Sequence, residues 1–171
     1  MLRFSEIYIA RDILSLRTGS IVGHAYSPII NPNNLKIEGW YAAENGAEGD
    51  MILPVTEVRE VIDRGFIVND HSAITPSEDL VRMSDITKLQ FELIGKTVKS
   101  DMKRKLGKVH NYAVDESSMI VQKMYVTPGA LRGIARQDLV IDRSQIVEIN
   151  NHEIIVREAT ERVGTPARAM A

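Results

Sequence analysis

Apolar and β-branched residues fall along this chain in short runs bounded by turn-forming residues, the pattern of strands rather than of long amphipathic helices. Ile21–Ile30 is one run, closed by Asn31-Pro32-Asn33-Asn34, and Leu35–Ala42 returns from it. Lys105–Val114 and Met119–Val126 make a similar pair across Asp115-Glu116-Ser117-Ser118. Pro, Asn, Asp and Ser favour tight turns at these positions.

The pattern occurs twice. Ile52–Asp70 reads ILPVTEVREVIDRGFIVND and Val140–Glu158 reads VIDRSQIVEINNHEIIVRE, a shift of 88. Apolar residues open each copy, a spaced pair follows (Val58 and Val61 against Ile146 and Ile149), and an apolar triplet closes it (Phe66–Val68 against Ile154–Val156). Each copy reads as a strand, a short turn and a second strand. A shift of 84 aligns the earlier parts: Ala10 falls on Ile94, Leu14 on Val98, Gly23 on Gly107, and Tyr41 on Tyr125. The change of shift is assigned to the Gly-rich stretch Ala43–Asp50, where a loop absorbs an insertion cheaply. Gly23 and Gly107 sit at equivalent points inside strands, which predicts a bulge or a close backbone crossing at both.

One helix start is visible. Thr75-Pro76-Ser77-Glu78 offers an N-cap threonine, a proline at the first helical position and a glutamate three residues after the cap. About two turns carrying Leu80, Val81 and Met83 on one face are expected. The pattern predicts an all-β protein with two tandem small β-barrels about a pseudo-twofold axis, joined by this helix. The boundaries are 1–74 for the first domain, 75–88 for the linker, 89–160 for the second domain and 161–171 for a mobile tail. Halves of this size hold only a thin core each.

The copied stretches, together with Glu92–Asp115 (ELIGKTVKSDMKRKLGKVHNYAVD), resemble the PRC-barrel family, named after the photosynthetic reaction-centre H subunit and similar to the last domain of a ribosome maturation factor. The resemblance rests on an LIGK.V opening at Leu93–Val98, LGKV at Leu106–Val109, a strand ending in Asp115, and the paired strands around Ile141–Val156. The first half carries a degenerate version, with Ala10-Arg11-Asp12 where the second has Ile94-Gly95-Lys96. The two matches span nearly all of residues 5–158. The resemblance implies PRC-type barrels that dock on proteins or ribonucleoprotein, with no shared catalytic residues, cofactor or metal.

Composition narrows the class without naming a partner. The 44% apolar and 26% charged residues exclude disorder of the whole chain. The absence of cysteine excludes disulfides and thiolate chemistry and fits a reducing compartment. Glu6 and Asp12 interrupt the N-terminus before any long apolar run, so neither a signal peptide nor a membrane span is read there, and a cytoplasmic location is expected. The net charge of −2 conceals an acidic half to Asp85, with 7 Lys+Arg against 13 Asp+Glu, and a basic remainder with 14 against 10.

The candidate chemistry is sparse. Gly95-Lys96-Thr97 imitates the end of a phosphate-binding loop, but Gln90 stands where that loop needs glycine and no helix is expected to follow. Lys96, Lys99, Lys103, Arg104, Lys105 and Lys108 form a basic run that could neutralise phosphates of RNA or an acidic protein surface, or be a solvated hairpin tip. No aromatic is interleaved to stack bases. His24 and His110 lie near each other's equivalents without ligand-spaced carboxylate or cysteine, and Asp50, Glu57, Glu60 and Asp63 read as water-facing. Trp40, Tyr41 and Tyr125 lie at equivalent strand ends; Trp40 and Tyr41 must face opposite ways, so one is core and the other a candidate partner-binding anchor. The expectation is a non-enzymatic adaptor for a protein partner. Alternatives are RNA or ribosome contact through Lys99, Lys103, Arg104, Lys105 and Lys108, or a small-ligand or metal-binding regulator at the cleft between barrels.

Overall fold

The computed structural model describes residues 1–46, 50–129 and 137–157, so the expected tail 161–171 lies outside the described residues. The fold is mostly β-sheet with one short α-helix. The first half runs β1 (Leu2–Phe4), β2 (Arg11–Ser15), β3 (Ile21–Asn31), β4 (Lys36–Glu44), β5 (Met51–Pro54), β6 (Val58–Ile62), β7 (Gly65–Val68) and β8 (Thr75–Pro76). The helix α1 (Val81–Lys88) follows, then β9 (Thr97–Ser100), β10 (Lys105–Asp115), β11 (Ile120–Thr127), β12 (Leu139–Asp142), β13 (Ile146–Ile149) and β14 (Glu153–Val156). No helix among the described residues is long and apolar enough to cross a membrane.

The duplication is written in the strand pairing. The first half pairs in the order β5-β4-β3-β2-β7-β6 and the second in the order β12-β11-β10-β9-β14-β13, with β2–β7 and β9–β14 parallel and the rest antiparallel. Even individual registers recur: Tyr41 pairs with Ile52 as Tyr125 pairs with Val140. In each half the two ends of the order are consecutive in the chain, joined by the 3-10 turns Val55–Glu57 and Arg143–Gln145. Among the described residues no ladder links those ends, and β4 pairs with β11 (Lys36 to Ile120), so both halves belong to one curled, half-barrel sheet of fourteen strands.

The curl has a local cause. The ladder shifts register beside Gly23 and beside Gly107, so a bulge occurs at both predicted points. A Cβ on either glycine would collide with a carbonyl oxygen of the paired neighbouring strand, that of Ala43 beside Gly23 and that of Thr127 beside Gly107. Bulge and close approach of the neighbouring strand are two aspects of one bend.

Three local expectations are corrected. Each copied stretch contains three short strands, because a 3-10 turn divides its first part: Met51–Pro54 and Val58–Ile62 precede Gly65–Val68. The shift at the opening strands is 85, not 84, since Ile13 and Val98 occupy the same place between a glycine partner and a parallel partner. Ala10 therefore stands where the second half has Gly95, and both take positive φ, 53° and 84°. The extra residue lies in the first half's turn: Ser15 N–H bonds Ser20 O, whereas Ser100 N–H bonds Arg104 O. Thr75 and Pro76 do not cap the helix. They are extended and pair with Ile52 and Met51, which draws them out of helical geometry, and α1 begins at Val81 without a side-chain cap.

The halves meet at the turns of their central hairpins. Ile37 N–H donates to Met119 O at 2.8 Å, and Val121 N–H donates to Leu35 O at 3.0 Å, a reciprocal pair that places a pseudo-twofold axis at the joint. The β1 strand pairs with β10 of the other half, Leu2 to Asp115 and Phe4 to Ala113. Arg3 extends this tie with a two-point contact to Glu116 at 3.3 Å. Instead of two thin cores, one cluster runs through both halves, from Ile13, Trp40 and Phe66 to Val98, Met124 and Ile154. A shared core offsets the high surface-to-volume ratio of each half.

Candidate protein-docking face

The outer faces of the two halves of the sheet differ in what covers them among the described residues. On the first, Ile29, Tyr41 and Ile52 project outward beneath α1, which lays Met83 on Ile29 and Ile52 with Leu80 and Ile86 beside it. Gly39 makes this approach feasible: a Cβ there would lie 3.1 Å from the Met83 methyl. An eight-residue helix is marginal alone, so burial of this stripe is what holds it. Before the helix, Thr75 and Pro76 close the outer edge of β5.

The equivalent face of the second half carries Ala113, Lys123, Tyr125 and Val140, by strand register. No helix covers it among the described residues, and no strand is paired to the outer edge of β12 there. Phe4 is brought beside Tyr125 by β1, their ring centroids 5.5 Å apart. Phe4 and Val140 are 54% and 53% exposed, and Leu139 at the edge is 39% exposed. Phe4, Tyr125 and Val140 thus form a contiguous apolar strip with Lys123 beside it. Lys123 helps hold the Asp142 carboxyl below its usual range, after the hydrogen bonds from the Ser144 side chain and backbone.

The aromatic candidates separate cleanly. Trp40 is wholly buried, stacked near Tyr8 at 6.3 Å and packed on Phe66 at 4.3 Å, so its ring offers no surface. Tyr41 faces the other way, under the helix, and burial raises its phenol pKa, with Asp50 adding to the effect. Tyr125 is half-buried, packed beside Phe4 and with the His110 ring 6.4 Å away, on a face that no helix covers among the described residues. Sequence reasoning missed Phe4 and Val140; the alternation of Leu2 and Phe4 was a strand signal, but nothing local says that this strand crosses to the other half.

The basic run is a hairpin tip between β9 and β10. Lys96 donates to Asn151 O at 2.8 Å and lies 4.5 Å from the centroid of the Phe91 ring, and Lys99 is paired with Glu153. Lys103, Arg104, Lys105 and Lys108 are exposed. His24 and His110 each face their own carboxylate, Asp12 at 3.1 Å and Asp138 at 3.0 Å, rather than each other. Among the described residues no three His, Cys, Asp or Glu side chains assemble as a metal site. Asp50, Glu57, Glu60 and Asp63 are exposed. A cleft of about 550 Å³ does lie between the halves, lined by Ile9, Pro28, Tyr41, Leu93, Ile94 and Tyr112 among others.

No protein-family model matches the chain, and no curated protein matches it.

Proposed function

We propose that this protein is a non-enzymatic adaptor that holds a protein partner on the outer face of its second half, around Tyr125. The observation that carries the reading is the partly exposed strip of Phe4, Tyr125 and Val140, over which no helix lies among the described residues, whereas α1 roofs its counterpart in the first half. Aromatic side chains with an apolar body and a polar tip are the usual anchors of protein interfaces. The strand order, repeated in both halves, also supports reading the chain as two tandem PRC-type half-barrels, a fold used for docking. A cytoplasmic or membrane-associated assembly is the proposed setting.

The test is capture of a defined partner from the native host by the full chain, repeated with Tyr125→Ala and Val140→Glu. Both variants should fold and lose the partner. A partner retained by both would remove this face from the function.

A further inference from the structure

Resting on that reading of the face, the internal repeat goes further and specifies what kind of segment fits it. The first half is a filled copy of the same surface. Its occupant is a stretch of chain that first adds two extended residues to the outer edge of β5, Thr75 on Ile52 and Pro76 on Met51, and then turns through Ser77–Asp79 into the helix Val81–Lys88. Only a few apolar side chains of the helix, Met83 and Ile86 with Leu80 before it, reach the sheet.

Each element of that seat has its equivalent in the second half. Leu139 and Val140 replace Met51 and Ile52 at the edge, and Tyr125 replaces Tyr41 on the face. One position differs in a decisive way: Lys123 stands where Gly39 lets the Met83 methyl descend. A helix on the second half must therefore clear a lysine side chain and gains by offering it a carboxylate. We infer that the second face binds a segment of a partner protein that is extended for about two residues along β12 and then forms a short acidic amphipathic helix over Phe4, Tyr125 and Val140. Strand addition supplies main-chain hydrogen bonds and the helix supplies the apolar contact, a combination of two known modes of peptide recognition. Lys123 then acts as the specificity determinant, admitting an acidic helix and rejecting one that needs a Gly39-like hollow.

The probe is a pair of synthetic peptides, added to isotope-labelled full-length protein. One has the sequence of residues 75–88; the other is the same peptide with the substitution Met83→Glu, which puts a carboxylate at the position that faces Gly39 in the first half and Lys123 in the second. The expected result is saturable shifts of Phe4, Tyr125, Val140 and the β12 amides, at least about tenfold tighter for the acidic peptide. Lys123→Glu should reverse that preference, and Lys123→Gly should strengthen the unaltered peptide. Absence of saturable binding at about 1 mM for both peptides, with wild type and Lys123→Gly alike, overturns the proposal. If Tyr125→Ala still abolishes capture of a native partner in that case, the docking face stands and the strand-then-helix occupant falls. Binding that appears only after deletion of residues 158–171 would assign the face to this chain itself. Concentration-dependent self-association lost in Tyr125→Ala would assign it to a second copy. Either outcome overturns a partner segment as the occupant.

Discussion

Leu35 and Met119 occupy the same place in the two halves and the same unusual backbone state, φ 55° and 57°, and each accepts a hydrogen bond from the other half. Left-handed geometry is costly for a side chain of this size, so the joint holds two strained residues in place by mutual bonding and by burying Leu35. Leu35→Ala should lower unfolding free energy by about 2–5 kcal/mol. Because the two residues share one joint, Leu35→Ala combined with Met119→Ala should depart from additivity by about 0.5 kcal/mol or more in chemical denaturation.

The opening turns offer a matched pair of substitutions. Ala10 carries a positive φ that Gly95 carries at the equivalent point, and a Cβ on Gly95 would meet nothing within 4 Å. Backbone preference alone is therefore at stake. Ala10→Gly is expected to stabilise by up to about 1 kcal/mol and Gly95→Ala to destabilise by about 1 kcal/mol, read as opposite shifts in thermal midpoint.

At the bends the outcome is harsher. Gly107→Ala forces a Cβ into the carbonyl of Thr127, with a backbone φ of 155° that L residues avoid. A loss exceeding about 3 kcal/mol, or failure to fold, is expected. A stable Gly107→Ala variant would show that the close approach of β11 at this glycine is not what bends the sheet.

Acid should weaken the fold through its turn carboxylates. Asp115 accepts from the side chains of Ser117 and Ser118 at 2.7 Å each and from Ser118 N–H, which hold its pKa well below the ordinary carboxylate range. Asp70 and Asp142 are lowered in the same way by Ser72 and Ser144. A lowered folded-state pKa means the stabilisation is complete above the unfolded value, near about 3.9, and is lost as pH falls through the folded value. Denaturation midpoints measured from pH 7 downward should therefore hold to about pH 5 and decline below it. Asp115→Asn should flatten that decline.

Base should act on the buried tyrosines, of which Tyr8 gives the clearest test. Burial raises the Tyr8 pKa to about 12. Its contribution is intact below the unfolded value of about 10 and lost as pH rises toward 12. Tyr8→Phe should remove that part of the alkaline loss of stability.

The parts of the fold legible in the sequence are those set by short-range chemistry. Strand runs, the Asn31 and Asp115 turns, the two glycine bends and the repeat itself follow from side-chain alternation and backbone allowance. What failed was decided at longer range. The Thr75-Pro76-Ser77-Glu78 cap lost to an open strand edge more than twenty residues earlier in the chain, which tertiary pairing filled. The single-residue slip between Ala10 and Ile94 arose because side-chain class cannot distinguish an alanine held at positive φ from one in a strand. As to the site, Tyr125 was legible as one of three aromatics at equivalent strand ends. Its place on a face without a helix, against the burial of Trp40 and the covering of Tyr41, depended on where α1 and β1 lie.

The crossing of β1 to the far half sets an order of events for a chain made from its N-terminus. Leu2–Phe4 find their partners only when Ala113–Asp115, more than a hundred positions later, have been made. The joint at Leu35 likewise waits for Met119 and Val121 of the second half. Closure of the molecule is thus a late, long-range step, and its speed should depend on the chain length between the ends of that crossing more than on the strength of either hairpin.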